Sequence, residues 1–190
     1  MATFDSKYPH RLSVAPMMGV TDRHWRHLAR LLSRRTLLYT EMVVDSAIVH
    51  NADALDHTRF LGHRADEHPL AVQLGGNDPA LLKQACELTV QHMGDTCVEI
   101  NLNCGCPSER VAGAGCFGAA LMRDPDQVAS CVKAMNRHAP VSVKCRIGVV
   151  DRVRDLSDDQ EELYASLARF VDTVHQAGVS RFIVHARVAV

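Results

Sequence analysis

Apolar and polar positions follow two alternating rhythms along the 190 residues. Short apolar runs, of strand length, give way to stretches with apolar residues at helical spacing. Leu12-Ser13-Val14-Ala15 predicts a first strand, stopped by Pro16. Asp22 to Ser33 predicts a helix with apolar positions at Trp25, Leu28, Leu31 and Leu32. Leu37 to Thr40 predicts a second strand, followed by a helix through Val43 to Val49. Leu70 to Leu74 predicts a third, ended by Gly75-Gly76. Asp78 then caps a helix with Pro79 at its first position, running to about Met93 and stopping at Gly94. Cys97 to Asn101 predicts a fourth strand. Asp124-Pro125 opens a helix that ends near His138, and Val141 to Lys144 predicts a fifth strand. A charged loop, Asp151 to Gln160, precedes a helix over Glu161 to Gln176 that stops at Gly178. Arg181 to His185 predicts a sixth strand.

Six strand-then-helix units give either an open doubly wound sheet or a (β/α)8 barrel. No GxGxxG follows the first strand, which weakens the dinucleotide-binding alternative. Polar residues close strand after strand, at Gln73, Asn101, Lys144 and His185. A barrel gathers such ends into one ring, so the expected fold is a TIM (β/α)8 barrel. A whole barrel takes roughly 250 residues, so six of eight units are expected here, as a single domain over 1–190.

Composition narrows the class further. Hydrophobic content of 47% and charged content of 23% are ordinary for a soluble domain. No apolar run approaches the ~18 residues of a membrane span, and the polar start, Met1 to His10, carries no export signal. Seven cysteines, an odd number set mostly within strand and helix patterns, fit reduced thiols in a cytoplasm. A net charge of -1 excludes a global basic field, so any nucleic acid must be met by local patches. The 11 histidines sit mostly in polar stretches, as His57, His63 and His68 do, and ask for no role.

The chemistry concentrates in Glu99-Ile100-Asn101-Leu102-Asn103-Cys104-Gly105-Cys106-Pro107-Ser108. This strand ends in a turn and a loop of small residues, Ala112 to Cys116, which pushes amides and a thiol out at a strand's carboxyl end. In α/β proteins ligands bind there. Pro107 biases Cys106 to an extended backbone with its side chain out of the turn. Cys104 and Cys106, with Cys97 and Cys116 near, lack the spacing of a zinc knuckle, so no metal is expected.

Ala15-Pro16-Met17-Met18-Gly19-Val20-Thr21-Asp22, Thr40-Glu41-Met42, Gln73-Leu74-Gly75-Gly76, the Asn101 to Ser108 run, Lys144-Cys145-Arg146-Ile147-Gly148 and His185-Ala186-Arg187 occur in one order and spacing. That order resembles the tRNA-dihydrouridine synthases. Asn101-Leu102-Asn103 and Phe117-Gly118-Ala119 are most like the A-type members, which act at tRNA positions 20 and 20a. The resemblance implies a flavin-binding barrel followed by a helical domain. It also implies FMN as cofactor, NADPH as reductant, tRNA as partner and reduction of the uridine C5–C6 double bond. It places Pro16, Met17 and Met18 at the flavin ring, and Gln73, Lys144 and His185 on the flavin or its ribityl chain. It makes Cys106 the proton donor and puts Asn103 at the tRNA nucleotide, with Asn101 and Arg187 as further tRNA contacts.

Elementary chemistry agrees. A thiol with pKa ~8.5 is mostly protonated at neutral pH and serves as a general acid. A cation such as Lys144 stabilises the negative charge of a reduced flavin. Asn101 and Asn103 offer donor and acceptor to a uracil edge.

The chain departs from the family pattern in three places. It ends before the Asn-Gly-Gly-like and Gly-Arg turns that hold the FMN phosphate, and before the helical domain. Val188 stands where a lysine is usual, and the Asp151 to Gln160 loop, with Arg152 and Arg154, is longer and more charged. The competing expectations are a flavin barrel reducing a free pyrimidine, in the manner of dihydroorotate dehydrogenases, and an inactive truncated remnant. Oligomeric state is left open, with a monomer expected.

Overall fold

The computed structural model describes residues 10–51, 58–107, 117–153 and 160–190. The loop over 112–116, Ser108, His57 and Arg154 lie outside the described residues. The elements run α1 Arg23–Leu32, β1 Leu38–Val44, α2 Asp45–Val49, α3 Thr58–Leu61, β2 Leu70–Gly75, α4 Pro79–Met93, β3 Cys97–Cys104, α5 Pro125–Met135, β4 Val141–Val149, α6 Gln160–Gln176 and β5 Phe182–Ala189. Expected and observed elements match in type and order, with one addition, the short helix α3, and one reduction. The strand expected over Leu12 to Ala15 is a single parallel bridge, Ser13 to Leu37. Its hydrogen bonds, Val14 N to Leu37 O at 2.9 Å and Leu37 N to Leu12 O at 3.0 Å, stop where Pro16 has no N–H to donate.

The five strands form one parallel sheet in the order β1-β2-β3-β4-β5. A doubly wound sheet reverses its order at a switch point. This sheet never does, so it is wound in one direction, as part of a TIM barrel is. Helices α2, α4, α5 and α6 pack in succession against one another. Leu70, Val72, Leu74, Ile100, Leu102 and Val143 of the sheet share one core with Val132, Met135, Phe170 and Val174 of these helices. The opposite sheet face holds only a small apolar cluster, Leu37, Tyr39 and Ala71. Gln73, Glu99, Asn101, Asn103, Ser142 and Lys144 bring polar side chains to it, beside Met42.

Four strands run well past their expected ends. β1 continues to Val44, into the expected start of a helix, β3 to Cys104, β4 to Val149 and β5 to Ala189. Asn101, Lys144 and His185 therefore lie within strands, not at their ends. A polar residue on the inner face does not interrupt the ladder, because the backbone pairing is indifferent to it.

α1 forms as expected, its Asp22 cap accepting from His24 N and Trp25 N. Its orientation is less obvious from the pattern. Trp25 packs on the core, but Leu28, Leu31 and Leu32 are exposed, while Arg26 and Arg30 are buried. Glu67, fully buried, accounts for this by accepting from Arg26 Nε at 2.7 Å. Arg26 also donates to Thr21 O and Gly62 O, and Arg30 to the carbonyls of Ser33, Thr36, Glu67 and Pro69. The two guanidiniums thus satisfy backbone acceptors that an apolar face would leave unpaired.

Candidate active site at the carboxyl end of the sheet

Strand register sets the site. Met42, Gln73, Asn101 and Ser142 pair across four strands, and the next rung up holds Asn103 and Lys144. Arg146 pairs with His185 above these. A cavity of about 260 Å³ opens over these rungs and is lined by Pro16, Met18, Gln73, Asn103, Cys106, Lys144 and His185 among others. Seven of the ten expected site residues therefore meet in one place.

The other three do not line it. Met17 sits in the adjoining turn at 39% exposure. Arg187 is exposed on β5, beyond the cavity wall. Asn101 departs most from expectation: it is 0% exposed and reaches neither cavity nor solvent. Its amide is spent on neighbours, accepting from Gln73 Nε2 at 2.7 Å and donating to Ser142 Oγ at 2.8 Å. Arg152, expected in a solvated loop, is exposed.

The expected set leaves out four lining residues, Arg146, Met42, Gly105 and Pro107. All stood within quoted motifs, and the alternation Ser142, Lys144, Arg146 carries the signal for the first. Arg146 Nε donates to Gly105 O at 2.9 Å. Asn103 Oδ1 accepts from both Gly105 N and Cys106 N at 3.0 Å, and Cys106 O accepts from Ala119 N at 2.9 Å. The turn that carries Cys106 is thus gripped on both sides of its peptide groups. The facing turn is held as firmly. Gly19, at φ +72°, donates its N–H to Glu41 Oε1 at 2.6 Å, and Thr21 Oγ1 accepts from Met17 N at 3.0 Å. This ties the Pro16–Thr21 turn to β1.

Gly75, below the mouth, leaves no free room for a side chain. A Cβ there would meet Met42 Sδ and Phe117 Cε2 at 2.8 Å.

Charge is one-sided around the cavity. Burial, then the charge of Arg146, holds the Lys144 ammonium below its usual pKa. Arg146 first, then partial desolvation and the charges of Lys144 and Arg187, pushes His185 below the ordinary imidazole value. An anion entering here would relieve all of these costs. Cys106 is the one described cysteine that lines the cavity. The thiol of Cys104 is fully enclosed and raised well above its ordinary value by burial, and Cys145 is pushed up to about 11 for the same reason. Among the described residues, no group of three or more His, Cys, Asp or Glu could hold a metal ion. No helix of the described residues is long and apolar enough to cross a membrane.

Comparison with known proteins follows this geometry closely. The profile of the dihydrouridine synthase (Dus) family matches residues 13–190. A tRNA-dihydrouridine(20/20a) synthase of Xanthomonas axonopodis pv. citri is 52% identical over 179 residues, covering 93% of this chain and 48% of that protein. That of Pseudomonas putida is 51% identical over 182 residues, covering 95% and 49%. That of Escherichia coli K12 is 48% identical over 188 residues, covering 97% and 49%. The chain spans about half the length of the curated relatives it matches. A profile that runs through the bridge at Ser13, the cavity and the last strand leaves one assignment: this chain belongs to the dihydrouridine synthase family.

Proposed function

We propose that the protein to which this chain belongs reduces uridine to dihydrouridine in the tRNA D-loop, with FMN as cofactor, NADPH as reductant and Cys106 as proton donor. The observation that carries this reading is the meeting of one accessible thiol, Cys106, with Lys144, His185 and Asn103 around a single cavity. The relatives' printed name supplies the product and the positions, 20 and 20a.

The residues present suit a flavin. Pro16, Met18 and Met42 offer apolar lining for the face of a ring system, Lys144 and Arg146 supply positive charge, and His185 adds a ring hydrogen-bonding group. A second cavity of about 600 Å³ shares Met18 and Met42 with the first, which gives room for an extended ligand. Bound flavin supplies the hydride for one carbon of the uracil double bond. Cys106 Sγ releases its proton to the neighbouring carbon, and its half-exposed position lets water restore that proton afterwards. Asn103 Nδ2 spends one hydrogen on Gln73 Oε1 and keeps a second for a carbonyl of the base. Lys144 would help hold the flavin and would supply positive charge that favours its reduced form. A base in folded tRNA must leave its stack to enter such a cavity.

Completion of the barrel belongs to the same proposal. The single bridge beside β1, the far edge of β5 and the exposed leucines of α1 are the surfaces that two further β/α units would cover. The chain is then one partial barrel domain of a longer, cytoplasmic protein that also carries a helical tRNA-binding domain. Mass spectrometry of D-loop nucleosides tests the function. Cells lacking the gene lose dihydrouridine at these positions, and unchanged dihydrouridine overturns the proposal.

A further inference from the structure

The inner face of the sheet carries an unbroken run of side-chain hydrogen bonds that all point one way. Cys106 N and Gly105 N donate to Asn103 Oδ1. Asn103 Nδ2 donates to Gln73 Oε1 at 2.8 Å, and Gln73 Nε2 to Asn101 Oδ1 at 2.7 Å. Asn101 Nδ2 donates to Ser142 Oγ at 2.8 Å, and Ser142 Oγ to Glu99 Oε1 at 2.9 Å. Every side chain in the run is buried, from Asn103 at 8% to Asn101 at 0%.

The direction is dictated from both ends. Glu99 also accepts from Tyr39 Oη at 2.8 Å and from Arg181 Nη1 at 2.8 Å. Burial, and then the charge of Glu99, raises the Tyr39 pKa, so this phenol stays a donor. With donors arriving on both its oxygens, Glu99 serves purely as an acceptor. Ser142 turns its hydrogen to this end, toward Glu99 or the Tyr39 oxygen beside it, and so accepts from Asn101. Asn101 must turn its oxygen to Gln73, and Gln73 its oxygen to Asn103. Asn103 Oδ1 is left facing the turn, where two backbone N–H groups wait for it. An amide at position 99 would meet a donor with a donor on one side or the other.

We infer that Glu99 is a positioning residue for Cys106. It acts through Ser142, Asn101, Gln73 and Asn103 to fix the turn that carries the thiol, without touching the cavity. The inference deepens the proposed function and rests on it for the role of Cys106. The geometry itself is independent of that role.

Two isosteric substitutions test it in the full-length protein. Ser142→Thr and Ser142→Val add the same bulk, but only threonine keeps the hydroxyl. The readout is the rate of Cys106 alkylation by iodoacetamide, followed by mass spectrometry of its peptide, with dihydrouridine formation measured alongside. A lost hydrogen bond in the run shifts turn opening by about fivefold. Ser142→Val is expected to alkylate about fivefold faster than Ser142→Thr and to lose catalytic rate, while Ser142→Thr stays near the unsubstituted protein. Equal alkylation rates in the two variants overturn the inference, whatever the protein's substrate proves to be. If either variant fails to fold, neutron diffraction from deuterium-exchanged crystals of the unsubstituted protein decides instead. Deuterons on the Asn101 nitrogen facing Ser142, and on Ser142 facing Glu99, are expected. The reverse orientation at either place overturns it.

Discussion

Cys104 and Cys106 are two residues apart, and the structure sets them in opposite surroundings, one enclosed in the core and the other lining the cavity. Replacing each by alanine separates stability from chemistry. Cys104 is completely buried in the main core. Removing its sulfur takes away a methylene-sized group and leaves a small void, which costs roughly 1–2 kcal/mol. At about 2–4 °C per kcal/mol for a chain of this size, Cys104→Ala lowers Tm by several degrees. Cys106 is half-exposed and is held through its backbone N and O atoms. Its side chain is only partly buried against the core, so Cys106→Ala lowers Tm by less than Cys104→Ala does.

The catalytic effects invert. A general acid contributes about 10²–10⁴-fold, or about 2.7–5.5 kcal/mol of barrier. Cys106→Ala in the full-length protein is therefore expected to slow dihydrouridine formation by that factor. Cys104→Ala keeps the rate within about twofold below its Tm. Single-turnover assays on unmodified tRNA, quantified by nucleoside mass spectrometry, measure the rate, and thermal melts measure the stability. The reasoning fails if Cys104→Ala loses rate while folded, or if Cys106→Ala retains it.

Lys144→Met removes a charge that folding disfavours. Because the folded pKa lies below the usual 10.5, the unfolded chain binds more protons and stability rises with pH. The methionine variant is thus more stable than the parent at pH 7, and the difference closes as pH climbs from the lowered value through 10.5; melts across that range check it. Arg26→Met strands the buried Glu67 carboxylate and is expected to destabilise by about 3–5 kcal/mol, measured by denaturant titration. Gly75→Ala forces Met42 and Phe117 apart and is expected to lower flavin retention, read as the visible absorbance of the purified full-length protein. The isolated 190-residue chain is expected to purify with little or no flavin colour, since two edges and the leucine face of α1 stay uncovered.

The parts legible in the sequence are those fixed by local chemistry. Asp78, Pro79 and Gly94 delimit α4 where expected, because capping and φ restrictions act within a few residues. Cys106 stood out because Gly105 and Pro107 bracket it in the chain. The strand ends were not legible. Asn103 and Arg146 look like loop residues, and Lys144 like a last strand residue, until the polar inner face of the sheet is known. Asn101 was misleading for a related reason. An amide beside a reactive turn suggests a ligand contact, and only the register that sets Gln73 and Ser142 on either side shows its amide already occupied. The orientation of α1 was hidden as well. Its leucine stripe is apolar enough to suggest burial, and Glu67, 37 residues beyond Arg30, reverses that preference.

The inner layer also explains why these polar residues are there at all. Barrel interiors are ordinarily filled by bulky branched side chains. A layer of valine and leucine in place of Gln73, Asn101, Ser142 and Glu99 would bury as well, and replacing buried polar groups by apolar ones of matched shape is often neutral or stabilising. Stability therefore does not require the amide run. What an apolar layer cannot do is dictate direction, since dispersion contacts have no polarity. The run ends on two backbone N–H groups of the turn that carries the thiol, so its direction is spent on the turn of the proposed proton donor. A fully satisfied network buried behind a reactive turn is a device for orientation, and its loss should be felt in rate before it is felt in fold.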